Sequence, residues 1–135
     1  MKTPINFAQC SLSASLFALV ASCIVAVGCT GGKTLPTYGA IVGGNPSQGR
    51  DVIASKGCGS CHVIPGIHNA KGLVGPPLVF FSRRTMIAGE LPNSPENLVR
   101  WLKDPPSVEP GTAMPDLGLT DQQAQDVAAY LYTLR

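Results

Sequence analysis

The sequence predicts a small all-α domain, three to five short helices joined by long loops that wrap around something the chain does not itself supply. Helix start signals followed by apolar residues at helical spacing occur three times, while no stretch alternates apolar and polar residues as a half-buried strand would. Fifteen Gly and twelve Pro in 135 residues, with 6% aromatics, leave little core material for a chain that must offset its ordering entropy by burial. The length allows one small domain and excludes a multidomain enzyme. Ten basic against eight acidic residues, scattered along the chain, give no electrostatic footprint for nucleic acid.

Residues 1–28 carry a single charge, Lys2, ahead of an apolar stretch densest over residues 16–27, and this reads as an export signal. The uncharged run 11–28 also reaches the lower length limit of a spanning helix, so a retained N-terminal membrane anchor is the alternative. Ala26-Val27-Gly28-Cys29 resembles a bacterial lipoprotein signal, which makes Cys29 the candidate for lipidation. Cys23 fits the same pattern but would leave an apolar tail exposed. Residues 29–44, rich in Gly and without helical or strand period, read as a flexible tether. Residues 45–135 read as the folded domain.

The first helix starts at Asn45-Pro46-Ser47-Gln48, where Asn45 caps, Pro46 suits the first helical position and Gln48 can complete a capping box; it runs to about Gly57. The second opens at Ser94-Pro95-Glu96-Asn97, places Leu98, Trp101 and Leu102 at i, i+3, i+4, and is stopped by Asp104-Pro105-Pro106. The third begins at a capping box, Thr120-Asp121-Gln122-Gln123, and carries Ala124, Val127, Ala128, Leu131 and Leu134 along one stripe. The intervening loops, 63–92 and 105–119, are long for a compact domain and imply a bound cofactor.

Directly after the first helix stands Cys58-Gly59-Ser60-Cys61-His62, a C-x-x-C-H c-type haem attachment signature. Two thiols three positions apart lie on one side of a turn, so each can add to a haem vinyl group, and the adjoining His62 reaches the iron. A structural zinc site needs about four ligands, but only His68 and the remote Cys29 remain. A thioredoxin-like dithiol expects βαβ surroundings that are not there. A plain disulfide would leave the long loops without a core. The reading is therefore one haem c, covalent through Cys58 and Cys61. For the sixth ligand the candidates are Met114 and Met86, with His68 as an outsider. Met114 is preferred, because Pro110-Gly111-Thr112-Ala113-Met114-Pro115 suits a rigid loop that aims a side chain inward, far enough from His62 for the chain to return on the opposite side. Met86 suits packing against the ring, and His68 suits solvent.

These motifs together resemble the class I cytochromes c, over roughly residues 45–135. The resemblance rests on Cys58-x-x-Cys61-His62, Gly75-Pro76-Pro77-Leu78, Leu98-Val99-Arg100-Trp101-Leu102-Lys103-Asp104-Pro105, Pro110-Gly111-Thr112-Ala113-Met114-Pro115 and Ala129-Tyr130-Leu131, in that order. It looks especially similar to the small cytochrome c domain appended to subunit II of some haem-copper oxidases. The resemblance implies that Pro76 offers its carbonyl to the far ring nitrogen of His62, and that Trp101 lines the haem pocket near Met114. It also implies that the first and last helices cross through Gly49 or a neighbour and Tyr130, and that Arg84 or Arg83 faces a haem propionate.

The implied function is one-electron transport, not catalysis, because an iron held by His and Met has no open position for substrate. The setting read from the N-terminus is the periplasmic side of a bacterial membrane, in a respiratory or dehydrogenase-linked chain. Expected partners are a redox donor, such as a membrane complex or periplasmic dehydrogenase, and an acceptor such as a terminal oxidase. A permanent place in an oxidoreductase complex has the same chemistry. A haem enzyme or gas sensor is the competing class, and requires Met114 to be weak or displaced. The folded domain lacks a dense Lys surface, which puts broad electrostatic docking in doubt.

Overall fold

In this computed structural model of the chain the residues described are 43–135. The expected export signal, Cys29 and the tether up to residue 42 lie outside them. Among the described residues four α-helices follow one another: α1 (Pro46–Ser55), α2 (Pro95–Lys103), α3 (Pro105–Val108) and α4 (Asp121–Thr133). Short 3₁₀ turns at Cys58–Ser60 and Phe81–Arg83 and a two-stranded ribbon, β1 (Met86–Ile87) with β2 (Leu91–Pro92), complete the elements. The fold is the small, mostly helical one expected. Among the described residues no helix is long and apolar enough to cross a membrane.

The helix starts are set by the side chains that read as caps. Asn45 Oδ1 accepts the N–H groups of Ser47 and Gln48 at 3.0 and 3.4 Å. The expected box does not close through Gln48, because the Asn45 N–H goes instead to the Asp126 carboxylate at 2.7 Å, a charged and stronger acceptor brought in by α4. At α2 the Ser94 hydroxyl caps Asn97, and at α4 the Thr120–Gln123 box is complete in both directions. Helix α1 stops before Gly57, whose φ of 71° is the left-handed conformation that ends a helix cheaply only at glycine.

Two features depart from expectation. The stretch after Asp104 is not all loop, because Pro105 and Pro106 occupy the first helical positions and Asp104 caps Ser107, giving the single turn α3. Strands also exist, too short for any alternation to show. Ile87 pairs with Leu91 across the three residues Ala88-Gly89-Glu90, with Ala88 and Gly89 both at positive φ and the Glu90 N–H donated to Ile87 O at 3.0 Å.

Helices α1 and α4 make the most extensive helix contact, and α2 also packs on α4. The close approach depends on Gly49. A Cβ there would land inside the backbone carbonyl of Asp126 and 2.9 Å from Val127 N, so the crossing lies at Asp126 and Val127, one turn before the expected Tyr130. Tyr130 instead donates its hydroxyl to Pro65 O at 2.6 Å, tying α4 to the loop beyond the cysteine motif. Ile53, Leu98, Leu102, Val127, Ala128 and Leu131 form the centre of the core. Phe81 meets Tyr132 edge-on at 6.0 Å and extends that core toward the ribbon.

Candidate functional site

The cysteine motif is built as a tight turn and then clamped. The N–H groups of Cys61 and His62 both reach back to Cys58 O, at 3.3 and 3.1 Å. Residues 72–78 run back over the turn, and Gly72, Gly75 and Leu78 donate their N–H groups to the carbonyls of Gly59, Cys61 and Val63. Both thiols are half-buried. Burial, aided by the neighbouring Cys61, pushes the Cys58 thiol up from its ordinary value, so it stands protonated at neutral pH.

His62 is held from behind. Its Nδ1 lies 2.8 Å from Pro76 O, and since a carbonyl only accepts, Nδ1 carries a proton, which in the neutral ring leaves the lone pair on Nε2. Gly75 makes this possible, because a Cβ there would overlap Cε1 of His62 and stand 2.6 and 2.8 Å from its two nitrogens. Pro77 continues the wall, and its carbonyl accepts from the Arg84 guanidinium.

One cavity of about 620 Å³ lies between these groups and the core. Cys58, Cys61, His62, Pro76, Arg84, Trp101 and Met114 all line it, so residues far apart in sequence converge on one space. Trp101 enters from α2 and is buried; Met114 is half-buried, its N–H bonded to Thr112 Oγ1 at 3.2 Å. Met86 stands at the rim, 42% exposed, and His68 is on the surface away from it. Of the two arginines, Arg84 faces the cavity and stacks 5.4 Å over Phe81, whereas Arg83 lies over the exposed Phe80. Burial lowers the Arg84 guanidinium from its ordinary value, and it remains cationic.

The donor set fits a haem. The size falls in the range of small-molecule pockets, about 300–1,000 Å³. Two thiols on one wall suit thioether attachment, and an imidazole nitrogen and a thioether sulfur suit axial ligation of an iron whose other ligands come with the macrocycle. Among the described residues no three His, Cys, Asp or Glu side chains converge as a bare-metal site requires.

Asn93 supports the site and carries no sequence signal beyond its place before a helix cap. Its amide donates to Phe81 O at 3.2 Å and Arg84 O at 2.9 Å, holding the turn that presents Arg84, and its carbonyl accepts from Tyr132 Oη at 2.8 Å. Burial, with Glu96 nearby, pushes the Tyr132 phenol from 10.0 up to about 12. An acid whose pKa is raised by folding keeps its proton in the folded state while the unfolded chain has begun to lose it. Stability is therefore complete below about pH 10 and declines as pH rises toward about 12. Tyr132→Phe is expected to flatten that part of the urea-unfolding stability curve relative to the unaltered protein, and an unchanged alkaline decline would disprove the assignment.

A cytochrome c family model matches residues 47–135, most of the chain. The chain is 36% identical over 90 residues to cytochrome c oxidase subunit 2 of Alkalihalophilus pseudofirmus, covering 66% of this chain and 25% of that protein. The corresponding subunits of Bacillus sp. (strain PS3) and Bacillus subtilis (strain 168) are 36% and 35% identical, over 63% and 65% of this chain and 25% and 26% of theirs. The chain thus spans about a quarter of the length of these relatives. What it shares with them is a domain of the kind appended to oxidase subunit II. With a motif-bearing turn, a clamped histidine and a matching cavity on one small helical scaffold, the chain belongs to the cytochrome c family and is an electron-transfer protein built for haem c.

Proposed function

We propose that this chain is a one-electron carrier with a single haem c, attached through Cys58 and Cys61 and ligated by His62 and Met114. The observation that carries the reading is the convergence of these four side chains on one cavity. When bound, the haem supplies a reversible one-electron couple. The chain does the rest. Pro76 fixes the His62 tautomer and orientation, Trp101 and the core side chains exclude water from one face, and Arg84 places a positive charge where a propionate carboxylate can pair with it.

The domain exchanges electrons from the periplasmic side of the membrane, held there by lipidation at Cys29 or by a retained N-terminal anchor, with 29–44 as tether. The relatives being oxidase subunits supports a terminal oxidase as acceptor, with a membrane complex or periplasmic dehydrogenase as donor, either as a free carrier or as a fixed subunit. The exposed apolar side chains Val74 and Met86 at the cavity rim, with Leu73 beside them at 86% exposure, support docking through apolar contact rather than a lysine field.

Met114→Ala tests the ligation. The ferric protein should show the long-wavelength absorption band of a methionine sulfur–iron bond, and the variant should lose it and bind carbon monoxide when reduced. A variant that keeps the native spectrum and potential refutes Met114 as ligand.

A further inference from the structure

The loop that carries Met114 is bonded almost entirely to itself. The N–H of Thr112 goes to Glu109 O at 3.0 Å, that of Met114 to Thr112 Oγ1, and that of Gly118 to Asp116 Oδ1 at 2.8 Å. Among the described residues, the hydrogen bonds that tie the stretch 112–119 to a segment distant in the chain come from one side chain. The Lys56 ammonium lies 2.9 Å from Leu117 O and 3.4 Å from Gly118 O. The remaining anchors are apolar: Leu119 is buried and Leu117 packs against the core.

The two ends of this tie are both prepared. Lys56 is the residue that caps the end of α1, so its backbone is fixed just before the turn that presents Cys58 and Cys61. On the loop side, Asp116 closes a turn on the Gly118 N–H, and Gly118, at φ of 60°, brings two successive carbonyls within reach of a single group. An ammonium has three donors and no acceptor, which matches two carbonyls. Lys56 is also among the residues that line the cavity.

We propose that Lys56 is the positioning residue for Met114: its ammonium latches the methionine loop to the helix that leads into the cysteine motif, and release of this latch limits departure of the sulfur. This rests on Met114 being the axial ligand.

The test uses the haem-loaded protein and two readouts, the sulfur–iron absorption band and the saturating rate at which imidazole displaces Met114 from the ferric protein. Displacement must wait for the loop to open, so that rate reports the latch. Lys56→Leu removes the donors without adding a new ligand, and should raise the rate about tenfold, equivalent to about 1.4 kcal/mol, with helix content unchanged. Lys56→Arg should restore the slow rate. Should Lys56→Leu load haem poorly, Asp116→Ala, which loosens the turn but leaves Lys56 in place, should raise the rate in the same direction. Unaltered rates in Lys56→Leu, or in Asp116→Ala if that is the variant that loads, overturn the latch while leaving the ligand reading intact. Absence of the band from the unaltered protein overturns the ligand reading and the latch together, which separates the two failures.

Discussion

Gly49→Ala is expected to lower the thermal unfolding midpoint by roughly 10–20 °C, from an overpacking penalty of about 3 kcal/mol in a domain of this size. The reason is that the added methyl meets backbone, not a side chain that can turn away. It would fall on the carbonyl of Asp126 and against Val127 N, at the crossing of α1 and α4. Relief requires the helices to separate, which also pulls Asp126 from the Asn45 N–H that it accepts at 2.7 Å. Since α1 leads directly into the cysteine turn, covalent haem yield should fall with stability. Ala54→Ser, at an exposed position of the same helix, is the control. A Gly49→Ala protein that melts with its parent would show that the crossing tolerates separation.

Gly75→Ala should leave the helices in place and damage the site. Its methyl would stand within 2.6 and 2.8 Å of the His62 nitrogens, so the ring must leave the Pro76 carbonyl or tilt in the cavity. Loss of such a supporting bond typically costs about 10–100-fold in metal affinity or activity. The expected result is native-like helix content, a shifted reduction potential and weakened histidine ligation, read by redox titration and by the spectrum at falling pH. A potential and acid transition equal to those of the parent would show that the ring has room to move. The contrast is informative because one glycine controls how two helices meet, and the other controls how one imidazole is aimed.

Much of this was legible along the chain because the chemistry is local. Cys58, Cys61 and His62 must be near neighbours to meet one ring, so their spacing survives in the linear order. Caps work over three residues, which is why Ser94 and Thr120 mark their helices correctly. The choice between Arg83 and Arg84 was not legible, since adjacent arginines look alike until the 3₁₀ turn at Phe81–Arg83 sends one to the cavity and the other over Phe80. Asn93 and Lys56 were missed for the same reason. Their partners lie on separate elements, and a lysine or asparagine with a distant partner reads like any surface residue. The Gln48 box failed because a distant carboxylate, Asp126, outcompeted a local amide for one backbone N–H.

The sequence by itself determined the family, the cofactor class and the helical order, because attachment spacing, capping and apolar period are properties of short stretches. Only the tertiary structure decided where along α4 Gly49 lets the two helices cross, how closely Gly75 must approach His62, which arginine reaches the cavity and which lysine reaches the methionine loop. Those are close approaches between segments distant in the chain, set by packing at the scale of a single methyl group, and no local pattern encodes them.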